Sequence, residues 1–185
     1  MSEKEKMLSG MWYVADCSDK TLYEERLKCK SLCYEYNQLN PLKSEERKAL
    51  MKKILGKTGE NFLIEPSFQC DYGYNIEIGE NFYSNHNLVI LDPGKVVFGD
   101  NVFIGPNCGF YTAEHPLDYE TRNKGLEIAK PIKVGNNVWF GGGVTVVGGV
   151  NIGDNVVIGA GAVVTKDIPS NTVAVGNPAK VIKKL

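Results

Sequence analysis

Along the second half of the chain, aliphatic residues return at every sixth position. From Val134 to Pro169 the sequence reads VGNNVW, FGGGVT, VVGGVN, IGDNVV, IGAGAV and VTKDIP. The first position of these blocks is Val, Phe, Val, Ile, Ile, Val, and the fifth is Val, Val, Val, Val, Ala, Ile. Two earlier blocks, FGDNVF (98–103) and IGPNCG (104–109), keep the same register. A period of six matches neither the 3.6 of an amphipathic helix nor the 2 of a simple strand. It suits a chain wound into a coil of short strands and tight corners, in which each repeat sends an aliphatic side chain into a shared interior. Gly and Asn, frequent at the remaining positions, accept the left-handed backbone that corners need. An ordinary Gly-rich antiparallel sheet gives no reason for such a register.

The first 58 residues follow a different pattern. They hold only two of the 20 glycines, Gly10 and Gly56, and more than half of the basic residues. Leu22, Leu27, Leu32 and Tyr36 among charged neighbours predict an amphipathic helix over 21–37. A second helix is expected after Pro41, with Ser44 as N-cap, Glu45 and Glu46 in the first turn, an apolar face of Leu50, Ile54 and Leu55, and a stop at Gly56.

The chain has 185 residues, 21 basic against 22 acidic. That balance points to neither nucleic acid nor an anionic membrane as partner. The start, MSEKEK, does not read as a signal peptide, and no apolar run has the length of a membrane span. Five cysteines without C-x-x-C spacing suit reduced thiols in a cytoplasmic protein. Cys29 and Cys33, four apart on the predicted helix, could share a metal, but no further ligand type clusters near them in the sequence.

The hexads resemble the left-handed parallel β-helix of the hexapeptide acyltransferases. Five segments extend the likeness: CDYGYNIEIGENFYSNHN (70–87), TAEHPLDYETRNKGLE (112–127), PIKVGNNVWFGGG (131–143), IGAGAVVTKDIP (158–169) and VGNPAKVIKKL (175–185). They look like the maltose and galactoside O-acetyltransferases, with CDYGYN nearer the maltose branch, and the MLSGMWY opening looks like the small helical domain of those enzymes. The resemblance implies a mostly β fold. A helical segment (1–58) would precede a left-handed β-helix (59–185) with a loop thrown out at about 114–130. It also implies direct transfer of acetyl from acetyl-CoA to a hydroxyl of a small sugar, no metal, and a homotrimer with active sites between subunits.

An alcohol needs its proton removed as it attacks a thioester, and an imidazole can accept that proton near neutral pH. Of the two histidines, His115 sits where the hexad rhythm breaks and matches the family's general base; His86 reads as structural or as lining the rim. A zinc-dependent carbonic anhydrase on the same coil would need three imidazoles, which two histidines do not supply. The resemblance makes Asn85 the residue that orients the acceptor hydroxyl. Asp71, Tyr83, Asp92, Glu127 and, with looser spacing, Asp16 would face the sugar. Pro93 stands where some relatives carry a second acid. Gly142 would direct its backbone N–H at the thioester carbonyl. Trp139 would flank the acetyl-pantetheine arm, Ala160 would meet the cofactor through its backbone, and Thr165, Lys166, Lys180 and Lys183 would meet the far end of CoA. A catalytically silent scaffold would be expected to lack His115 or the basic tail, and other acceptors (an antibiotic, an amino acid, a sugar nucleotide) keep the same chemistry.

Overall fold

The computed structural model describes residues 1–15 and 19–185. Its body is a three-faced coil. The first face holds the parallel strands β2 (Phe62–Ile64), β5 (Phe82–Ser84), β8 (Phe103–Ile104), β13 (Val138–Phe140), β16 (Val156–Ile158) and β18 (Thr172–Val175), closed by an antiparallel tail strand, β19 (Lys180–Lys184). The second holds β3 (Phe68–Cys70), β6 (Leu88–Leu91), β9 (Gly109–Tyr111), β14 (Thr145–Val147) and β17 (Val163–Val164). The third holds β4 (Ile76–Glu77), β7 (Val96–Phe98), β12 (Ile132–Val134) and β15 (Asn151–Ile152). The chain visits the faces in strict rotation, and three hexads close one turn: Val134 lies beside Ile152, and Val138 beside Val156.

The six-residue rhythm is a burial rhythm. First positions Val134, Phe140, Val146, Ile152, Ile158 and Val164 and fifth positions Val138, Val144, Val150, Val156, Ala162 and Ile168 all lie in the interior. Each hexad therefore contributes two inward side chains rather than the one expected. Full burial of a Val, Ile or Phe side chain is worth ~1.5–3 kcal/mol. Phe82, Phe98, Phe110 and Phe140 stack edge to face through the centre, with ring centroids 5.2, 4.9 and 5.2 Å apart. Asn81, Asn87, Asn101, Asn107, Asn137, Asn155 and Asn171 take φ between 54° and 64° at the corners. Their side chains hydrogen-bond from one turn to the next, as from Asn81 to Asn101 and from Asn101 to Asn137. A short polar side chain that tolerates left-handed backbone and bonds to its own kind suits this position.

The N-terminal segment forms α1 (Glu3–Leu8), β1 (Tyr13–Val14), α2 (Lys20–Gln38) and α3 (Ser44–Ile54). The expected helices are present, with two corrections. In α2 the buried stripe is Leu22, Cys29, Cys33 and Tyr36, while Leu27 is exposed. The helix uses its cysteines as small apolar residues and leaves a leucine outside. In α3, Lys43 occupies the N-cap without a side-chain hydrogen bond, and Ser44 is the first helical residue. The segment thrown out of the coil is more ordered than a loop. β10 (Ala113–Glu114) and β11 (Leu126–Ala129) form an antiparallel arm around a short helix, α4 (Tyr119–Arg122), and β1 pairs with the outer edge of β11. No described helix is long and apolar enough to cross a membrane.

Candidate active site

The rhythm fails repeatedly at one place, the corner between the second and third faces. In the later turn the positions Val146 and Val150 are four apart in the chain; the structurally equivalent pairs Cys70 and Ile76, and Ile90 and Val96, are six apart. The next turn inserts the whole arm here. The extra residues carry Asp71 and Asp92, and the arm carries His115 and Glu127.

His115 is exposed on the arm. Its Nδ1 lies 2.8 Å from the Leu126 carbonyl oxygen. A carbonyl can only accept, so Nδ1 carries the proton and Nε2 keeps a free lone pair. Nε2 lies 3.7 Å from Oε2 of Glu127, a carboxylate placed to favour the imidazolium once a proton arrives. Glu127 is held in turn by Tyr13, whose hydroxyl donates to Oε1 across the β1–β11 pairing. Burial raises the Glu127 pKa above the usual carboxylate range, against the Tyr13 hydrogen bond and the charges of His115 and Arg26. Burial likewise raises Asp71, opposed by Lys30 and Arg26. Arg26, anchored by a 3.1 Å hydrogen bond to the Ala15 carbonyl, thus acts on both carboxylates of this corner, with Lys30 as a second cation beside Asp71.

Asp92 stands differently from its expected role. It is fully buried, and its Oδ1 accepts the backbone N–H groups of Asp71 and Tyr72, each at 2.9 Å. Oδ2 is buried without a hydrogen-bond partner among the described residues. Burial pushes this carboxyl up to about 7, with nearby Asp71 adding to the shift and the backbone donors opposing it. Asp92 therefore pins the turn that presents Asp71 and does not itself reach the surface. Asp16 lies outside the described residues.

The corner between the first and second faces is a column of small residues. Backbone hydrogen bonds run down it from Asn85 to Ile104, Gly105 to Phe140, Gly141 to Ile158 and Gly159 to Ala174. Asn85 is half-buried, with its Oδ1 engaged by the His86 N–H at 2.7 Å, which leaves the Nδ2 donors for a ligand. Gly141 and Gly143 donate to Ile158 and Pro106, while the Gly142 N–H between them meets no acceptor among the described residues. A preorganised, unused N–H is what a developing oxyanion needs. Exposed Ala160 stacks against Gly141 in the same column. The column ends where Ala179 N–H bonds back to Val163 O; exposed Thr165, Lys166 and Lys180 follow these two residues in the chain, and exposed Lys183 lies farther along β19, paired with Val173. On the first face, Tyr83, Phe103 and Trp139 lie in register, with Phe103 and Trp139 walling a cleft of about 210 Å³.

One corner thus gathers Asp71, His115 and Glu127, and another gathers Asn85, Gly142 and Ala160. The structure does not bring the two sets together in one chain. A strand such as β6, four residues at ~3.3 Å each, separates them by ~13 Å. Arg26 and Tyr13 were not singled out from the sequence. An arginine in a charged helix and a tyrosine after a helical opening carry no pattern of their own; only the interrupted hexads mark the corner they cover.

Residues 6–59 match the maltose acetyltransferase hexapeptide capping motif, and 131–166 match six repeats of the bacterial transferase hexapeptide. A solved maltose O-acetyltransferase from Clostridium difficile 630 is 50% identical, with a TM-score of 0.97 over 100% of this chain and 98% of that one. YJL218W of Saccharomyces cerevisiae, assigned as an acetyltransferase, is 54% identical over all 185 residues and 94% of its own length. This chain belongs to the hexapeptide-repeat acetyltransferases. A galactoside acetyltransferase solved in complex with coenzyme A is also similar to this acetyltransferase, 45% identical with a TM-score of 0.94 over 100% and 91% of the two chains. The three-faced coil is accordingly the left-handed parallel β-helix that the hexads resembled.

Proposed function

We propose that this acetyltransferase carries acetyl from acetyl-CoA to a hydroxyl of a small sugar, of the maltose, glucose or galactoside kind, with His115 as general base. The observation that carries this reading is the Leu126 carbonyl on Nδ1, which fixes the tautomer a base requires. Nε2 takes the acceptor's proton as its oxygen attacks the thioester carbonyl. The Gly142 N–H receives the oxyanion. Collapse expels the CoA sulfur, which recovers the proton from the imidazolium, so alcohol and acetyl-CoA leave as ester and free thiol.

CoA would lie along the small-residue column, with its acetyl end near Gly142, the pantetheine arm beside Trp139 and Ala160, and its phosphates among Thr165, Lys166, Lys180 and Lys183. Lysines act there as point charges. Asp71, Glu127 and Arg26 offer hydrogen bonds to sugar hydroxyls at the other corner. Because the corners lie apart within one chain, the site would close between neighbours in a homotrimer, where Asn85 and Tyr83 of one subunit meet His115 of the next. The outward row Leu63, Tyr83, Phe103 and Trp139 is an apolar strip suited to that contact. The reading is tested with purified protein, acetyl-CoA and a panel of sugars, amino alcohols and amines, following free thiol release. Release driven by hexoses or their glycosides supports it; release only with amines would replace it with N-acetylation.

A further inference from the structure

Cys29 and Cys33 lie one turn apart on the buried face of α2, and Cys70 ends β3 opposite them. All three are buried. Their sulfurs lie within 4.8 Å of one another, with Cys70 Sγ 3.4 Å from Cys29 Sγ and 3.8 Å from Cys33 Sγ. Three thiolates round a zinc ion at Zn–S ~2.3 Å stand ~3.8 Å apart, so the spacing already approximates a metal's first shell. Thiols are weak hydrogen-bond partners for each other and strong ligands for soft cations. The two ligands on one helix and the third on a coil strand are brought together from 37 to 41 residues apart in the chain. Cys29 also borders a cavity of about 230 Å³ whose charged lining is Lys4, Glu25, Lys28 and Lys53.

We propose that Cys29, Cys33 and Cys70 form a site for a thiophilic d10 cation, Zn2+ or Cu+, that pins helix α2 to the coil directly behind Asp71. Each thiol that binds releases its proton to solvent, and no electron is transferred. The site is structural: the transfer chemistry rests on His115, and the ion supplies no step of it. Fixing Cys70 holds the strand end from which the Asp71 turn departs.

The test uses the full-length protein, reduced and stripped with a chelator, then titrated with Zn2+ and, separately, with chelate-buffered Cu+. One equivalent per chain should bind, and Tm should rise with metal concentration because the ion favours the folded state. The tighter of the two identifies the cation. Cys33→Ser and Cys70→Ala should abolish binding, while Cys108→Ser, at a buried thiol bonded to Gly141 O, should leave it intact. A second measurement needs no variant: bound metal should slow alkylation of Cys29 in the native wild-type protein, read by peptide mass. Failure of both ions to bind, binding that survives both triad substitutions, or an unchanged Cys29 alkylation rate would each overturn the proposal.

Discussion

The role proposed for His115 depends on one carbonyl. With Nδ1 donating to Leu126, replacing the ring removes the base but little packing, since the side chain is exposed. His115→Ala should keep its fold and its KM for acetyl-CoA and lose ~10²–10⁴ in kcat. Steady-state kinetics on the best acceptor checks this; retention of most of kcat would move the base elsewhere. Asp92 supports a pH prediction. Burial pushes its folded pKa up to about 7, above its ordinary value of 3.8, so between those values the folded chain holds a proton that the unfolded chain has lost. The contribution of Asp92 to stability therefore falls as pH rises from about 4 to about 7 and is flat above. Asp92→Asn keeps the Oδ1 acceptor for Asp71 and Tyr72 without the charge. Melting curves from pH 5 to 8 should show a smaller decline in the variant than in the wild type. A variant that instead melts lower at every pH would mean the carboxylate is ionised and stabilising.

At the scale of the elements, three adjacent glycines have three different reasons to be there. A Cβ on Gly141 would lie 2.6 Å from the Ala160 backbone nitrogen, Gly143 has φ +71°, and a Cβ on Gly142 would meet nothing nearer than 3.4 Å. Gly141→Ala should cost ~1–3 kcal/mol through overpacking of consecutive turns. Gly142→Ala should be neutral, or stabilising by up to ~1 kcal/mol, and should keep activity because the backbone donor survives. Denaturant titrations of the two variants separate these cases. Equal destabilisation would show that the Gly142 corner is tighter than its contacts indicate. The tail strand β19 gives a kinetic prediction. Lys166, Lys180 and Lys183 changed together to Ala should raise KM for acetyl-CoA and spare that for the acceptor, because they lie far from the reacting carbonyl. A selective effect on the acceptor would reverse the two ends of the site.

At the scale of the whole molecule, the proposed site joins two separated corners, so the proposal makes catalysis a property of the assembly. His115→Ala and Asn85→Ala each spoil a different corner. Mixed, dissociated and reassembled, they should give more activity than either alone, because some interfaces then pair an intact His115 corner with an intact Asn85 corner. Sedimentation of the same samples should report trimers. No gain on mixing, or full activity in a monomer, would place the whole site within one chain.

The coil itself was legible because its cause is local and repeated. Each hexad must bury its first and fifth side chains and turn a corner at Gly or Asn, so the same residues recur at the same spacing. His115 stood out as a break in that rhythm. Other features carry no period. That Asp92 is buried beneath the Asp71 turn rather than exposed beside it depends on a backbone turn twenty residues away in sequence. Arg26 and Tyr13 reach the corner of Asp71, His115 and Glu127 only because β1 pairs with the arm and α2 packs on the coil. The third thiol beside Cys29 and Cys33 comes from β3. By itself the sequence determined the coil and its corners, through repetition and local backbone preference, and marked His115 through a family resemblance at a break in the rhythm. Only the tertiary structure decided which distant side chains share a corner, because that depends on how separate segments pack.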